Sequence, residues 1–167
     1  MIYKINFLFV TLFGIGKLPK IPGSYASLAT IIFLFTLFHF FKISVDLFLV
    51  ILIILFVISI FAINNFVRKS DDKDPKEIVI DEFIGQSIPI SLYELAHIEN
   101  DNKIEVLTFY FIMFILFRIF DIIKPYPASY YDKNIKNGFG VIMDDVVAGL
   151  YVVALMVLFM VMKSNFF

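Results

Sequence analysis

The stretch Arg118–Gly149, RIFDIIKPYPASYYDKNIKNGFGVIMDDVVAG, places many charges between two strongly apolar segments, Val106–Phe117 and Val146–Met162. Its charged residues are Arg118, Asp121, Lys124, Asp132, Lys133, Lys136, Asp144 and Asp145. A charge drawn toward lipid costs several kcal/mol, so this concentration predicts a functional site at a membrane surface. Carboxylates and cations together at that surface favour a divalent metal and a phosphate group.

Composition places the chain among integral membrane proteins. Of its 167 residues, 60% are hydrophobic and 22 are Phe, and its mean hydropathy is +0.91. Soluble domains contain only about 45–50% apolar residues. We therefore predict an all-α, polytopic membrane helical bundle with about four to five apolar helices and its polar motifs gathered on one face. Residues 1–167 are expected to form a single domain.

Rare residue types narrow the chemistry further. A net charge of -1 gives no basis for nucleic-acid binding. The absence of cysteine excludes disulfides, zinc–thiolate sites and cysteine nucleophiles. The two histidines, His39 and His97, argue against a multi-histidine metal site. A bound metal is therefore expected to have oxygen ligands, as magnesium and calcium prefer.

Two features precede the first long apolar run. Ile5–Phe13 is short and apolar behind Lys4, with no small-x-small cleavage site after it, so we expect it to be uncleaved and interfacial. Gly14–Ser24, GIGKLPKIPGS, predicts an irregular polar loop. This loop is either a linker or, opposite a carboxylate cluster, part of an anion site.

The number of membrane crossings decides which motifs can meet. Ile21–Phe41 and Leu47–Val67 carry no formal charge and can each span a bilayer of about 30 Å. Ile78–Leu95 is shorter, and it either crosses or only dips into the bilayer. Counting it as a fifth crossing follows the positive-inside tendency and brings the polar motifs to the cytoplasmic face. With four crossings they would fall on opposite faces.

Acidic residues from three helix ends are the predicted metal ligands. They are Asp81, Glu82, Asp121, Asp144 and Asp145, of which Asp81, Asp121 and Asp145 are also the predicted catalytic residues. Five carboxylates exceed what one magnesium ion needs. Without a metal or bound protons they would repel one another. Gly85 shares a helical face with Asp81, so another helix or a ligand can approach there.

The predicted phosphate-binding residues are Lys17, Ser24, Arg118 and Lys124. Arginine grips phosphate with a fork of donors and lysine acts as a point charge. Two structural alternatives remain open. Asp144 and Asp145 would stabilise a helix dipole if they began the last helix, and Arg118 with Asp121 would form an interfacial ion pair three residues apart.

Three motifs together resemble the phosphatidylglycerophosphatase A family. They are GIGKLPKIPGSYASL at 14–28, IDEFIGQ at 80–86 and FRIFDIIKPYPASYYDKNIKNGFGVIMDDVVAGL at 117–150, in the family's order and over nearly the whole chain. The family usually has Ala-Pro-Gly-Thr and then Gly-Ser-Leu. Here the residues are Ile21-Pro22-Gly23-Ser24 and Ala26-Ser27-Leu28, so Ser24 keeps a hydroxyl and Ala26 stays small.

The resemblance implies Mg²⁺-dependent hydrolysis of phosphatidylglycerophosphate to phosphatidylglycerol and inorganic phosphate. It also implies a multi-pass protein of the bacterial inner membrane, with a phospholipid substrate and an active site facing the cytoplasm. One alternative is a phosphatidyl-alcohol transferase, although the usual Asp-Gly…Ala-Arg…Gly…Asp…Asp pattern of that class is missing. Another is a non-enzymatic divalent-cation channel or assembly factor, which would carry its charges within the spans.

Overall fold

The computed structural model describes residues 2–68, 75–97 and 102–166, and within these ranges the protein is all-helical. A short 3₁₀ helix, Ile15–Lys17, lies between the first two α-helices. The α-helices are α1 (Ile2–Val10), α2 (Pro22–His39), α3 (Val45–Val67), α4 (Ile80–Ala96), α5 (Lys103–Ile123), α6 (Ala128–Asn134) and α7 (Gly138–Phe166). The predicted all-α class is confirmed.

Within the described ranges, four helices are long and apolar enough to cross a membrane: α2, α3, α5 and the Gly138–Met162 part of α7. Side-chain caps begin two of them. Leu47 N donates to Ser44 Oγ at the start of α3, and Glu105 N donates to Asn102 Oδ1 at the start of α5. Large apolar side chains such as Phe61 point outward, as expected of helices that face hydrocarbon. The polytopic helical bundle is therefore confirmed.

The 17-residue α4 lies at the centre of the bundle, packed against α2, α3, α5 and α7. Its first turn lies beside the start of α2, because Glu82 borders Gly23. Its last turn lies beside the end of α2, where Glu94 Oε1 is 3.1 Å from His39 Nε2. Because α4 reaches from one end of the bundle to the other, its geometry favours a fifth crossing over a shallow dip. The loop residues 69–74 and 98–101, which that interpretation places on opposite sides, lie outside the described ranges.

Two glycines let α4 and α7 approach each other closely. A β-carbon added to Gly85 would lie 2.6 Å from the carbonyl oxygen of Asp145, and one added to Gly149 would overlap the carbonyl of Gly85. The sequence predicted that another helix or a ligand could approach α4 at Gly85. In the structure, α7 makes this approach. This contact brings the first turn of α4 against the acidic pair of α7.

Two predicted helix boundaries were wrong. The last apolar segment was expected to begin near Val146, yet α7 begins at Gly138. The side chain of Asn137 caps it by accepting from the backbone N–H groups of Phe139 and Gly140, at 3.0 and 3.1 Å. Asp144 and Asp145 therefore lie in the second turn of α7, where the helix dipole has little effect.

The second wrong boundary is the start of α2. This helix begins at Pro22, since proline fits the first helical position. Ser24 is consequently helical and does not belong to the preceding loop.

Candidate metal and phosphate site

Three carboxylates meet between the starts of α4 and α7. Asp81, Glu82 and Asp145 each offer one oxygen, and these oxygens all lie within 4.8 Å of one another. The first two residues are half-buried, and Asp145 is buried. We call this group the acidic triad. Separations of this size allow three oxygens to share one divalent cation.

Two oxygens of the triad have no partner among the described residues. Asp81 Oδ1 and Glu82 Oε2 are buried and accept no hydrogen bond. Buried polar atoms are nearly always paired, so orphan acceptors beside a third carboxylate point to a missing positive charge. A hard cation with oxygen ligands, such as Mg²⁺, fits this donor set.

Asp121 lies beside the triad but is held by a different partner. Its carboxylate lies close to that of Asp145. Its Oδ2 is 2.5 Å from Arg118 Nη1, and the same nitrogen is 3.9 Å from Glu82 Oε1. The Arg118–Asp121 ion pair left open as a structural alternative is therefore present, and it forms one wall of the site.

Lys124 connects two further carboxylates across the site. Its Nζ donates to Asp132 Oδ1 at 2.7 Å and also to Asp144 Oδ2. Burial disfavours its charged form, but these two hydrogen bonds outweigh burial and raise the pKa of Lys124 above its ordinary value. Asp144 thus neutralises a lysine, whereas its neighbour Asp145 belongs to the triad.

A small polar cleft of about 70 Å³ opens beside the triad. Its lining residues are Asp81, Lys124, Asp132, Lys136 and Asp144, together with the apolar Ile135 and Val141. Asp132 and Lys136 were not among the predicted site residues. The available signal was the pair of prolines at Pro125 and Pro127, which ends α5 and folds the chain back so that Asp132 meets Lys124.

The segment Gly14–Ser24 reaches the site through Gly23, which was not among the predicted site residues. A β-carbon at Gly23 would overlap Glu82 Oε1 and lie 3.1 Å from Arg118 Nη1. Ser24, the next residue, is half-buried, and Lys17 places its Nζ 4.5 Å from the centre of the Phe7 ring. Phosphate binding by Ser24, Lys17, Arg118 and Lys124 stays a prediction.

Comparison with known proteins identifies relatives over most of the chain. A family model described as Phosphatidylglycerophosphatase A matches residues 8–160. A Haemophilus influenzae protein named Phosphatidylglycerophosphatase A is 33% identical over 84% of this chain and 80% of its own length. An Escherichia coli protein of the same name is 30% identical over 83% and 73%.

A third relative carries a different name. A Bacteroides thetaiotaomicron protein named Putative phosphatidylinositol-3-phosphatase is 34% identical over 83% of both chains. No solved structure matches the chain.

Proposed function

The chain belongs to the phosphatidylglycerophosphatase A family, and from this premise we propose that it is a Mg²⁺-dependent lipid phosphatase. Its substrate would be phosphatidylglycerophosphate, and its products phosphatidylglycerol and inorganic phosphate. The observation that carries the proposal is the acidic triad of Asp81, Glu82 and Asp145, with its two orphan oxygens.

The triad residues would hold the cation. When bound there, Mg²⁺ supplies a Lewis acid that draws charge from a phosphate oxygen and favours attack by water at phosphorus. The carboxylates would hold it from two helices whose close approach depends on Gly85 and Gly149. Phosphoryl transfer depends chiefly on such positioning and on electrostatic stabilisation.

We assign Arg118 as a phosphate ligand because its guanidinium lies beside Glu82 of the triad. Its Nε is buried and has no hydrogen-bond partner among the described residues. Asp121 anchors one end of the guanidinium through the 2.5 Å contact, which leaves other donors of the fork for phosphate oxygens. Asp121 is a carboxylate beside the triad and outside it, so we assign it the role of accepting the proton of the attacking water.

Phosphate release from defined lipids tests this function. The purified protein in mixed micelles is expected to release phosphate from phosphatidylglycerophosphate with Mg²⁺, and to stop when EDTA removes the metal. Asp81→Asn, Asp121→Asn and Asp145→Asn should each lower turnover by at least about 10²-fold, whereas Asp46→Asn at the opposite end should not. Near-normal release from all three site variants would refute the proposed site.

Two other substrate assays address the alternatives. Phosphatidylinositol 3-phosphate should be included because the Bacteroides relative carries that phosphatase name; preferential cleavage of it would replace the substrate while keeping the chemistry. Incubation with a CDP-lipid and an alcohol would reveal a transferase. Retained Mg²⁺ binding with no turnover of any substrate would instead favour the non-enzymatic cation-binding alternative.

We further propose that the site faces the cytoplasm of a bacterial inner membrane. Lys17, Lys20, Lys124 and Lys136 lie at the end of the bundle that holds the triad, as the positive-inside tendency expects. Because the chain contains no cysteine, a maleimide can react only with a cysteine introduced at a chosen position. An impermeant maleimide applied to intact cells should label Lys42→Cys but not Lys20→Cys, and the reverse labelling would contradict this orientation.

A further inference from the structure

We infer that a cavity between α1, α2, α3 and the first turn of α4 binds one fatty-acyl chain of the lipid whose phosphate enters the polar cleft. The cavity has a volume of about 380 Å³, within the usual range of ligand pockets, about 300–1,000 Å³. We call it the acyl pocket. The inference rests on the proposed lipid phosphatase function, because it assigns the place of the substrate's tail.

The acyl pocket offers almost no polar group to a ligand. Its walls are aliphatic and aromatic side chains, including Phe9 and Leu12 from α1 and the turn after it and Phe33 from α2. The exception is Thr30, whose hydroxyl already donates to the carbonyl of Ala26 at 2.8 Å. An apolar, unbranched ligand therefore suits the acyl pocket, whereas a polar headgroup would lose its hydrogen bonds there.

Consecutive residues at the start of α4 line the acyl pocket and the polar cleft. Ile80 lines the acyl pocket, and the next residue, Asp81, lines the cleft. Successive α-carbons are only about 3.8 Å apart. An amphiphile can thus straddle the first turn of α4, with its tail on the Ile80 side and its phosphate on the Asp81 side.

Contacts within the protein hold the outer wall of the acyl pocket in shape. Val79 N donates to the carbonyl of Val10 at 3.0 Å, which ties the end of α1 to the residue before α4. Leu12 and Phe13, both in the wall, have φ angles of 46° and 57°. This left-handed backbone is unfavourable for bulky residues and tends to occur where a structure holds a binding surface in shape.

Charge and exposure near the acyl pocket favour an anionic lipid of the bilayer over other occupants. Lys17 follows the pocket residue Ile15 by two positions, and both Lys17 and Lys20 are exposed. These amines can neutralise the phosphodiester of a lipid whose tail lies below. Phe13, in the wall of the acyl pocket, is 87% exposed, as suits an aromatic side chain that contacts lipid at the membrane boundary.

Narrowing the acyl pocket separates this inference from the function on which it rests. Ala29 lines the acyl pocket, and Ala29→Phe would fill part of it. Two substrates with the same phosphatidylglycerophosphate headgroup are compared, one with dioleoyl and one with dihexanoyl chains. We expect kcat/KM for the long-chain lipid to fall about tenfold, mainly through KM, with the short-chain lipid nearly unaffected. Ala154→Phe, at an exposed position of α7, is the matched control.

Equal losses on both substrates, or no loss on the long-chain lipid, would overturn the acyl-pocket inference. If the wild-type protein cleaves neither lipid, the proposed function fails and a binding experiment still tests the pocket. A phospholipid with a photoactivatable acyl chain is irradiated with the wild-type protein in EDTA. Crosslinks to the Ala29–Phe33 segment support the inference, whereas crosslinks only elsewhere, or a protein–protein crosslink through this face, contradict it.

Discussion

Gly85 of α4 faces the carbonyl oxygen of Asp145 of α7 so closely that a β-carbon would lie 2.6 Å from it. The same β-carbon would be 2.8 Å from Cε2 of Phe117. Neither a backbone carbonyl nor a fully buried ring can withdraw easily. The distance between the two halves of the acidic triad therefore depends on the absence of a side chain at residue 85.

Gly85→Ala should consequently separate Asp145 from Asp81 and Glu82. Forcing a methyl group into a packed interface costs about 1–3 kcal/mol, and a displacement of about 1 Å at a reacting centre can cost about 10²-fold in rate. We expect turnover to fall by at least about tenfold while the protein still inserts and purifies. Phosphate release measured beside Leu92→Ala, an exposed position on the same helix, checks this.

Gly23→Ala tests the opposite wall of the site. A β-carbon at Gly23 would overlap Glu82 Oε1 and crowd Arg118 Nη1. We expect the substitution to push Glu82 out of the triad and to raise the Mg²⁺ concentration required for half-maximal activity. A Mg²⁺ titration of initial rates measures the effect, with Ile32→Ala, at an exposed position of the same helix, as the control. An unchanged Mg²⁺ requirement would show that Gly23 does not support the metal site.

Lys124→Met should destabilise the protein because it leaves the buried Asp144 without its cation. Hydrogen bonds to charged groups contribute about 1.5–3 kcal/mol, so the loss is expected to lie near 2 kcal/mol. Thermal unfolding in detergent measures it, and Lys133→Met, at an exposed position of α6, is the control. Equal melting temperatures for the two variants would contradict the bridging role of Lys124.

The pH dependence of that difference has a defined sign. The pKa of Lys124 is raised in the folded protein. Its ion pairs therefore contribute fully below the ordinary lysine pKa of about 10.4 and are lost only as the pH rises through the raised value. The stability gap between wild type and Lys124→Met should stay constant from about pH 8 to about pH 9. A gap that closes within this window would show that another group titrates there.

Tyr110→Phe should reduce stability without affecting turnover. The Tyr110 hydroxyl donates to Glu94 Oε1 at 2.8 Å, and Glu94 is 7% exposed at the end of α4 far from the triad. Removing a donor from a buried carboxylate costs about 1–3 kcal/mol. A melting temperature lower by several degrees with unchanged phosphate release is expected, and Tyr130→Phe should change neither. A loss of activity would instead couple the two ends of the bundle.

Composition and periodicity predicted the fold well because long apolar runs leave few options in a membrane. Uncharged segments must be helices there, since their backbone groups have no water to bond. The short α4 was harder, because 17 residues with Asp81, Glu82 and Pro89 lack the signature of a span. Only its contacts at both ends show that α4 reaches from one end of the bundle to the other. The start of α7 was not predicted because Asn137 and the two glycines after it fit a turn as well as a helix cap.

The candidate site was only partly predictable from the sequence. Acidic residues at several helix ends indicated a metal, but the rotation of each helix decides which of them meet. Asp144 and Asp145 are neighbours in the chain, yet one contacts Lys124 and the other joins the triad. Asp132 was not predicted because it lies on the short helix α6, whose sequence has no strong apolar pattern.

Cation binding by the acidic triad tests the central claim most directly, without recourse to turnover. Mn²⁺, a paramagnetic ion that also takes oxygen ligands, can be titrated into the purified protein and followed by electron paramagnetic resonance. We expect wild type and Asp46→Asn to bind Mn²⁺ alike, and Asp81→Asn and Asp145→Asn each to bind at least about tenfold more weakly. Affinities for both triad variants equal to that of the wild type would contradict the account.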